Sequence, residues 1–386
     1  MPGHHTALPW REAVAVAARA AAPLPPEIVP LAGAPGRVLA APVAARADLP
    51  GTDTAAMDGY AVAGPGPWTV TARLLAGGAP WPGHLGPGQA VEIMTGATVP
   101  AGAVAVVPYE HTTAAADGTV TGPLGPRAHI RRAGEDARAG DPMLPAGRLV
   151  TPAVAGLLAQ AGADVVEVRA RPRVRLLVTG DEVIAAGVPA PGQVRDVFGP
   201  MAPALITAAG GVLHDRRLLC DDPGPLTDAL LAPDAEVVAV SGSSSAGRAD
   251  HLRAVLDKIG GRPLVDQVAC RPGHPQLLAA LPGGRWLVGL PGNPFAGLVA
   301  GVTLLQPLLR GLTGLPPARP WRLPVHGDVR PAPGITRLVP VTLDGDRAVV
   351  VPGSRPASLS GAGLSDALAV LEDGWTTGAT ADVLPW

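Results

Sequence analysis

Between residues 172 and 314, short and almost wholly apolar runs alternate with helix-length segments, and this alternation constrains the fold more than any other feature of the chain. Val174–Val178, Val212–Leu219, Glu236–Val240 and Trp286–Leu290 read as strands; helices are expected over Met201–Ala209, Pro225–Leu231, Asp250–Ile259 and Phe295–Leu309. Continuous apolar strands separated by helices make a parallel sheet covered on both faces. The flanks read differently. Trp10–Ala22 has helical spacing and is stopped by Pro23, and Pro25–Pro50 is a proline-punctuated connection. Residues 51–139 read as a β-rich unit with strands near Trp68–Leu75, Ala90–Met94, Ala103–Pro108 and Thr119–Thr121, a pattern that suggests a small barrel or sandwich. Thr151–Ala161 is a short helix in which Thr caps and Pro takes the first turn. Beyond Leu315-Pro316-Pro317, short strands return through Trp386 and suggest a small barrel-like domain.

Composition narrows the function classes. Hydrophobic residues make up 47% of the 386-residue chain and charged ones 16%, enough apolar material for several buried cores. Gly 50 and Pro 46 punctuate apolar runs without forming repeats. A net charge of -2 argues against an electrostatically driven nucleic-acid or membrane-surface role. Cys220 and Cys270 are too few for a disulfide framework or a zinc site. No apolar run reaches 18 residues, and the best, Gly297–Leu309, is interrupted by Gln306 and Pro307. The alanine-rich start lacks a signal-peptide layout, so a soluble, cytoplasmic protein is expected.

Ligands of an open α/β sheet bind beyond the carboxyl ends of its strands. There the chain places Thr179-Gly180-Asp181-Glu182, Asp221-Asp222, the small-residue run Gly242–Gly247 with Asp250, and Pro291-Gly292-Asn293-Pro294. Two of these loops precede helices, where free backbone N–H groups hold anions. Carboxylates crowded beside a phosphate call for a cation, and Mg²⁺ with oxygen ligands is the usual solution. Each piece also has a plainer reading. Asp250 reads equally well as a helix cap, Asp221-Asp222 as a turn, and the serine-rich run as a linker. Among the β-rich segments, Ala56–Ala61, Ile93–Ala97 and His129–Asp136 stand out, and each alone reads as a surface turn or solvated charge pair.

Taken in order, Ala-Met-Asp-Gly-Tyr-Ala (56–61), Met-Thr-Gly-Ala (94–97), Arg-Arg-x-Gly-Glu-Asp (131–136), Thr-Gly-Asp-Glu (179–182) and Leu-Pro-Gly-Asn-Pro (290–294) resemble the molybdopterin molybdenumtransferase family of MoeA and the gephyrin E-domain. The resemblance covers nearly the whole chain. It implies a multi-domain α+β protein: a three-layer α/β domain with a mostly parallel sheet (6–23 plus 172–314), a segmented elongated domain (24–41 plus 140–171), an inserted β-rich domain (42–139) and a C-terminal β-barrel domain (315–386). It further implies a homodimer whose active site lies between the α/β domain of one subunit and the β-rich domain of the other. Contact with the molybdopterin adenylyltransferase would be transient. The implied reaction inserts molybdate into adenylylated molybdopterin, with Mg²⁺-dependent release of AMP.

By matched position, Asp58, Thr95 and Asp136 would serve metal exchange. Glu182, Asp221 and Asp250 would face them from the α/β side, with Glu182 and Asp221 near the Mg²⁺. Thr179, Gly180, Asp181, Gly242, Ser243, Ser245, Gly247, Arg271, His274, Pro291, Gly292, Asn293 and Pro294 would bind substrate. The chain departs from the family's pattern at several of its positions. Val197 and Phe198 stand where the family has Ser-Asn, Ser243 where it has Gly, Arg271 and His274 where it has two lysines, and Ala296 where it has Ser. These departures motivate an alternative, a diverged and non-catalytic member that binds a pterin, a nucleotide or a protein partner. A third reading is an unrelated Mg²⁺-dependent nucleotide enzyme.

Overall fold

The computed structural model describes residues 7–242, 251–330 and 332–386. The chain divides into two compact units: one runs through Glu27 and adds Gly36–Val38 and Val168–Trp386, and the other comprises Ile28–Pro35 and Leu39–Glu167.

The first unit is built on a six-stranded sheet of β1 (Arg173–Thr179), β2 (Val212–Leu219), β3 (Val237–Ser241), β4 (Arg262–Asp266), β5 (Leu277–Leu281) and β6 (Arg285–Leu290), in the order β2-β1-β3-β6-β5-β4. The four strands expected from sequence pair in parallel; β5 and β4 extend the sheet antiparallel. Pro263 in β4 sits on an edge strand, where its missing N–H costs no ladder bond. β3 is buried throughout and β1 from its second residue on, so side chains alternate between two cores. Val174, Leu176 and Val178 face helices Trp10–Arg19, Phe198–Ala208 and Pro294–Ala300; Leu177, Val238 and Val240 face Pro223–Leu231 and Leu252–Lys258.

Two helices differ from expectation for identifiable reasons. The Asp196 carboxylate accepts the N–H groups of Phe198 (2.8 Å) and Gly199 (3.0 Å), so that helix begins three residues before Met201. The helix from Pro294 continues to Thr313, past Gln306-Pro307, through a π-helical turn at Gly301–Leu305. Pro307 donates no hydrogen bond to the turn before it, and the wider turn absorbs that loss. The resulting 20-residue helix is long and apolar enough to cross a membrane, yet 72% of its apolar window is buried, which makes it a core helix.

Within the same unit, Trp321–His326, Thr336–Asp344, Arg347–Val350, Ala367–Leu371 and Thr380–Pro385 close into a five-stranded barrel around Val325, Val341 and Val383. Val268–Arg271 adds to its Thr336–Asp344 strand in parallel, pairing Cys270 with Thr336 and Arg271 with Arg337. Arg11 of the first helix ion-pairs with Glu372 and with the buried Asp382 of the last barrel strand. In the second unit a six-stranded sheet contains Gly59–Val62, Trp68–Leu74, Gln89–Ile93 and Ala105–Pro108. Its helix Pro152–Gln160 is capped by Thr151, whose hydroxyl accepts the Val154 N–H (3.3 Å).

Two arginines are buried in the sheet, Arg285 on β6 and, more deeply, Arg175 on β1. Arg175 on β1 is fully buried and donates to Asp215 (2.7 Å) and Asp234 (2.7 Å). The hydrogen bond from Arg175, followed by that with His214, holds the Asp234 carboxyl far below its usual range. Burial pulls Asp215 upward, but Arg175 and Arg217 outweigh it and hold that group low as well. Arg175→Met is expected to lower stability at pH 7 by about 1–3 kcal/mol, since Asp215 loses its buried partner. Depressed carboxyls stabilise the fold above their ordinary pKa, and that contribution is lost as pH falls below about 4. Urea denaturation at pH 7 and pH 3 should therefore show the gap between variant and wild type closing in acid.

Candidate functional site

Three loops meet where β1, β3 and β6 end. Thr179 closes β1, and its hydroxyl donates to the carbonyl of Ser241 at the end of β3 (2.9 Å). Gly242 follows with φ +99, and a Cβ there would lie 2.6 Å from the Thr179 carbonyl oxygen. Only glycine lets the two loops approach this closely. The Gly242 N–H donates to Leu290 O at the end of β6 (3.3 Å), tying in Pro291-Gly292-Asn293 before the next helix. The Gly180 N–H donates to Leu219 O (3.2 Å), and Asp181 accepts the Asp221 N–H (3.2 Å), which brings the loop after β2 alongside. Asp222 caps the following helix through Gly224 N (2.7 Å), so the plainer reading holds for that residue.

Among the described residues the carboxylates of Glu182 and Asp221 make no hydrogen bond or ion pair, and no three His, Cys, Asp or Glu gather into a ready metal cluster. This donor set suits a cation that keeps several waters and shares its ligands with substrate phosphates. Ser243, Ser245, Gly247 and Asp250 lie outside the described residues.

Next to this rim is a cavity of about 510 Å³ that Pro291 and Asn293 share with it. Among the described residues its basic lining is Arg271, His274, Arg337 and Arg355, with no carboxylate. Strand register places Arg271 directly opposite Arg337. Like charges facing each other across a ladder are unfavourable, and the buried Nε of Arg337 finds no hydrogen-bond partner. Such a lining is complementary to an anion with several oxygens. Sequence reasoning singled out Arg271 and His274 but missed Arg337, Ser354 and Arg355. These lie beyond the Leu315-Pro316-Pro317 boundary, in a β segment without a local motif.

In the other unit, Asp58 stands before the strand Gly59–Val62, whose first residue pairs with both Ile93 and Pro108. This registration sets Asp58 beside the turn after Ile93, where one carboxylate oxygen accepts both the backbone N–H (2.6 Å) and the hydroxyl (2.7 Å) of Thr95. The backbone bond first, and the hydroxyl second, hold the Asp58 carboxyl below its usual range. Asp136 is engaged differently. It pairs with Arg131 (2.7 Å), while Asp53 takes Arg132 (2.6 Å), so this segment neutralises its own charge. No hydrogen bond joins Asp136 to the Asp58–Thr95 pair among the described residues.

Residues 8–162 match the family described as the MoeA N-terminal region (domain I and II), and residues 175–311 match a probable molybdopterin binding domain. A molybdopterin molybdenumtransferase 2 of Mycobacterium tuberculosis is 37% identical over 86% of this chain and 87% of its own length. The chain belongs to the molybdopterin molybdenumtransferase family. A family member of Haemophilus influenzae is 34% identical over 79% of this chain and 76% of its own. The crystal structure of a molybdopterin biosynthesis MoeA protein from Pyrococcus horikosii superposes with a TM-score of 0.79 and 25% identity, covering 98% of this chain and 99% of that one. The multi-domain α+β fold is thus shared along the whole length.

The Thr179–Gly242 contact makes a direct prediction for this family member. Gly242→Ala forces a methyl group into a carbonyl oxygen at a left-handed backbone position, and is expected to cost about 2 kcal/mol or more. Chemical denaturation of the variant against wild type measures this.

Proposed function

We propose that this enzyme of molybdenum cofactor biosynthesis inserts molybdate into the dithiolene of an adenylylated molybdopterin, with Mg²⁺-dependent release of AMP. The observation that carries the reading is the carboxylate-free cavity in which Arg271 faces Arg337, beside the glycine-bearing rim. Molybdate is a tetrahedral dianion, and guanidinium pairs recognise such groups through several charge-assisted hydrogen bonds. In this reading Arg271, Arg337 and Arg355 hold the oxyanion, and Pro291 and Pro294 shape the wall around it.

Thr179-Gly180-Asp181 and Gly242, with the Gly180 and Gly242 N–H groups bonded to Leu219 O and Leu290 O, shape the rim beside the phosphates, and the start of the helix at Pro294 turns its positive end to them. Glu182 and Asp221 would hold the Mg²⁺, which neutralises charge developing on the phosphate as the bond to AMP breaks. Asp58, fixed by Thr95, stays ionised at neutral pH and presents a free oxygen to orient an incoming donor. Asp136, held by Arg131, stands with it on the metal-exchange side.

The proposal extends to the assembly. The chain acts as a cytoplasmic homodimer, with domains at 24–41 plus 140–171, 42–139, 6–23 plus 172–314 and 315–386. The Asp58 set of one subunit completes the Glu182 rim of the other. A transient encounter with the adenylyltransferase delivers the substrate.

The test supplies purified protein with adenylylated molybdopterin, Mg²⁺ and molybdate and measures AMP and active cofactor. Glu182→Gln is expected to slow release by about 10²–10³-fold, as for loss of one electrostatic stabiliser. Absence of AMP release by the wild type rejects the reading. Asp58→Asn and Glu182→Gln chains, each inactive alone, should recover about half the wild-type rate as a mixed dimer, because symmetry leaves one of its two sites intact. No recovery rejects the shared site.

A further inference from the structure

We propose that His274 makes oxyanion capture proton-linked: it meets a fully deprotonated tetrahedral dianion as an imidazolium, so each bound anion brings one proton with it. This rests on the reading of the basic cavity as the oxyanion site.

The geometry of the ring supports the inference. Nδ1 of His274 lies 2.8 Å from the carbonyl oxygen of Val268. A carbonyl only accepts, so Nδ1 carries a hydrogen, and the neutral ring has its lone pair on Nε2. Nε2 is then the nitrogen left to meet a ligand, and its lone pair repels a dianion. A proton there converts the repulsion into a charge-assisted hydrogen bond. The turn has little freedom to present another atom. The His274 carbonyl accepts the N–H groups of both Val268 (3.0 Å) and Gln276 (3.0 Å), and the buried Gln276 amide donates to Gly273 O (2.8 Å).

The surroundings leave the proton to arrive with the ligand. From its own turn the ring shares the cavity with Arg271, and from the barrel with Arg337 and Arg355. All three stay charged across the accessible pH range. Asn293 and Ser354 are neutral. The Cys270 thiol behind the turn is pushed up to about 12 by burial and stays protonated. Asp266, the nearest acid along the chain, is paired with Arg253 (2.6 Å) and does not line the cavity. With no carboxylate among the described lining residues, a bound anion is the one negatively charged partner this cavity offers the exposed ring.

Isothermal titration of the full chain with molybdate tests this, from pH 6 to pH 8.5 in buffers of different ionisation enthalpy and with sulfate as a second dianion. At pH 8 the wild type is expected to take up close to one proton per anion. Its affinity should fall by about tenfold per pH unit above the imidazole range. His274→Lys should bind with a flat pH profile and no proton uptake, because its charge is permanent. His274→Gln should bind weakly at every pH, also without uptake. A wild type that binds equally from pH 6 to pH 8.5 without proton uptake, while Arg337→Ala abolishes binding, overturns the role of His274 and leaves the cavity assignment standing. Binding that is absent at every pH, or unchanged by Arg337→Ala, overturns the cavity assignment itself.

Discussion

The inner strands of the central sheet are buried on both faces, and this burial dictates where polar chemistry in its unit can go. β1, from its second residue on, and β3 offer no solvent-facing position, so hydrogen-bonding side chains collect where these strands end and helices begin. At that edge the Thr179 hydroxyl spans to Ser241, and Gly242 closes against the Thr179 carbonyl. The Gly180 and Gly242 N–H groups are spent on Leu219 O and Leu290 O, which fixes the loops to one another. Arg175 is the most deeply buried charge of the sheet. It is tolerated because Asp215 and Asp234 reach it from the next strand and from the loop beyond the helix Pro223–Leu231.

The basic cavity follows from a second constraint, the parallel addition of Val268–Arg271 to the barrel. That register puts one cation opposite another, an arrangement that weakens the folded state unless something negative is bound. Arg175, in the same unit, shows what a structural arginine looks like here, with two carboxylates and a backbone carbonyl within reach. Arg271, Arg337 and Arg355 line a space that, among the described residues, carries no acid. Functional sites commonly retain such local instability.

Much of the α/β architecture was legible because its signal is local. Apolar runs at Val174–Val178 and Val237–Val240 cannot be half-exposed strands, and the loops that follow them carry the acids and small residues that matter. The antiparallel strands were missed because Arg262–Asp266 contains a proline and charged ends, and Leu277–Leu281 is too short to separate strand from helix by periodicity. Arg337 and Arg355 were invisible for another reason. Arg337 gains its meaning from strand pairing with Arg271, more than 60 residues away, and Arg355 from lining the same cavity, and no spacing rule reports such contacts. The Asp58–Thr95 bond joins two motifs that had been read separately, each of which alone resembles a plain turn.

The departures from the family's pattern sort themselves by where they sit. Phe198 stands in place of a polar residue, but its ring is buried against Gly297, where a Cβ would lie 2.3 Å from it. The pair locks the helix Phe198–Ala208 onto the helix beginning at Pro294, so that change belongs to packing between helices. The helix start beside it is kept by Asp196, whose carboxylate satisfies the free N–H groups of Phe198 and Gly199. Ala296 is buried, and its N–H is directed to Pro356 O at the cavity wall (3.3 Å), a contact that does not depend on its side chain. His274 is different in kind. It lines the cavity, and the Val268 carbonyl at its Nδ1 leaves Nε2 as the nitrogen that can meet a ligand. Substitutions absorbed by a core leave ligand chemistry as it was, whereas one at a lining position alters the electrostatics that the ligand meets.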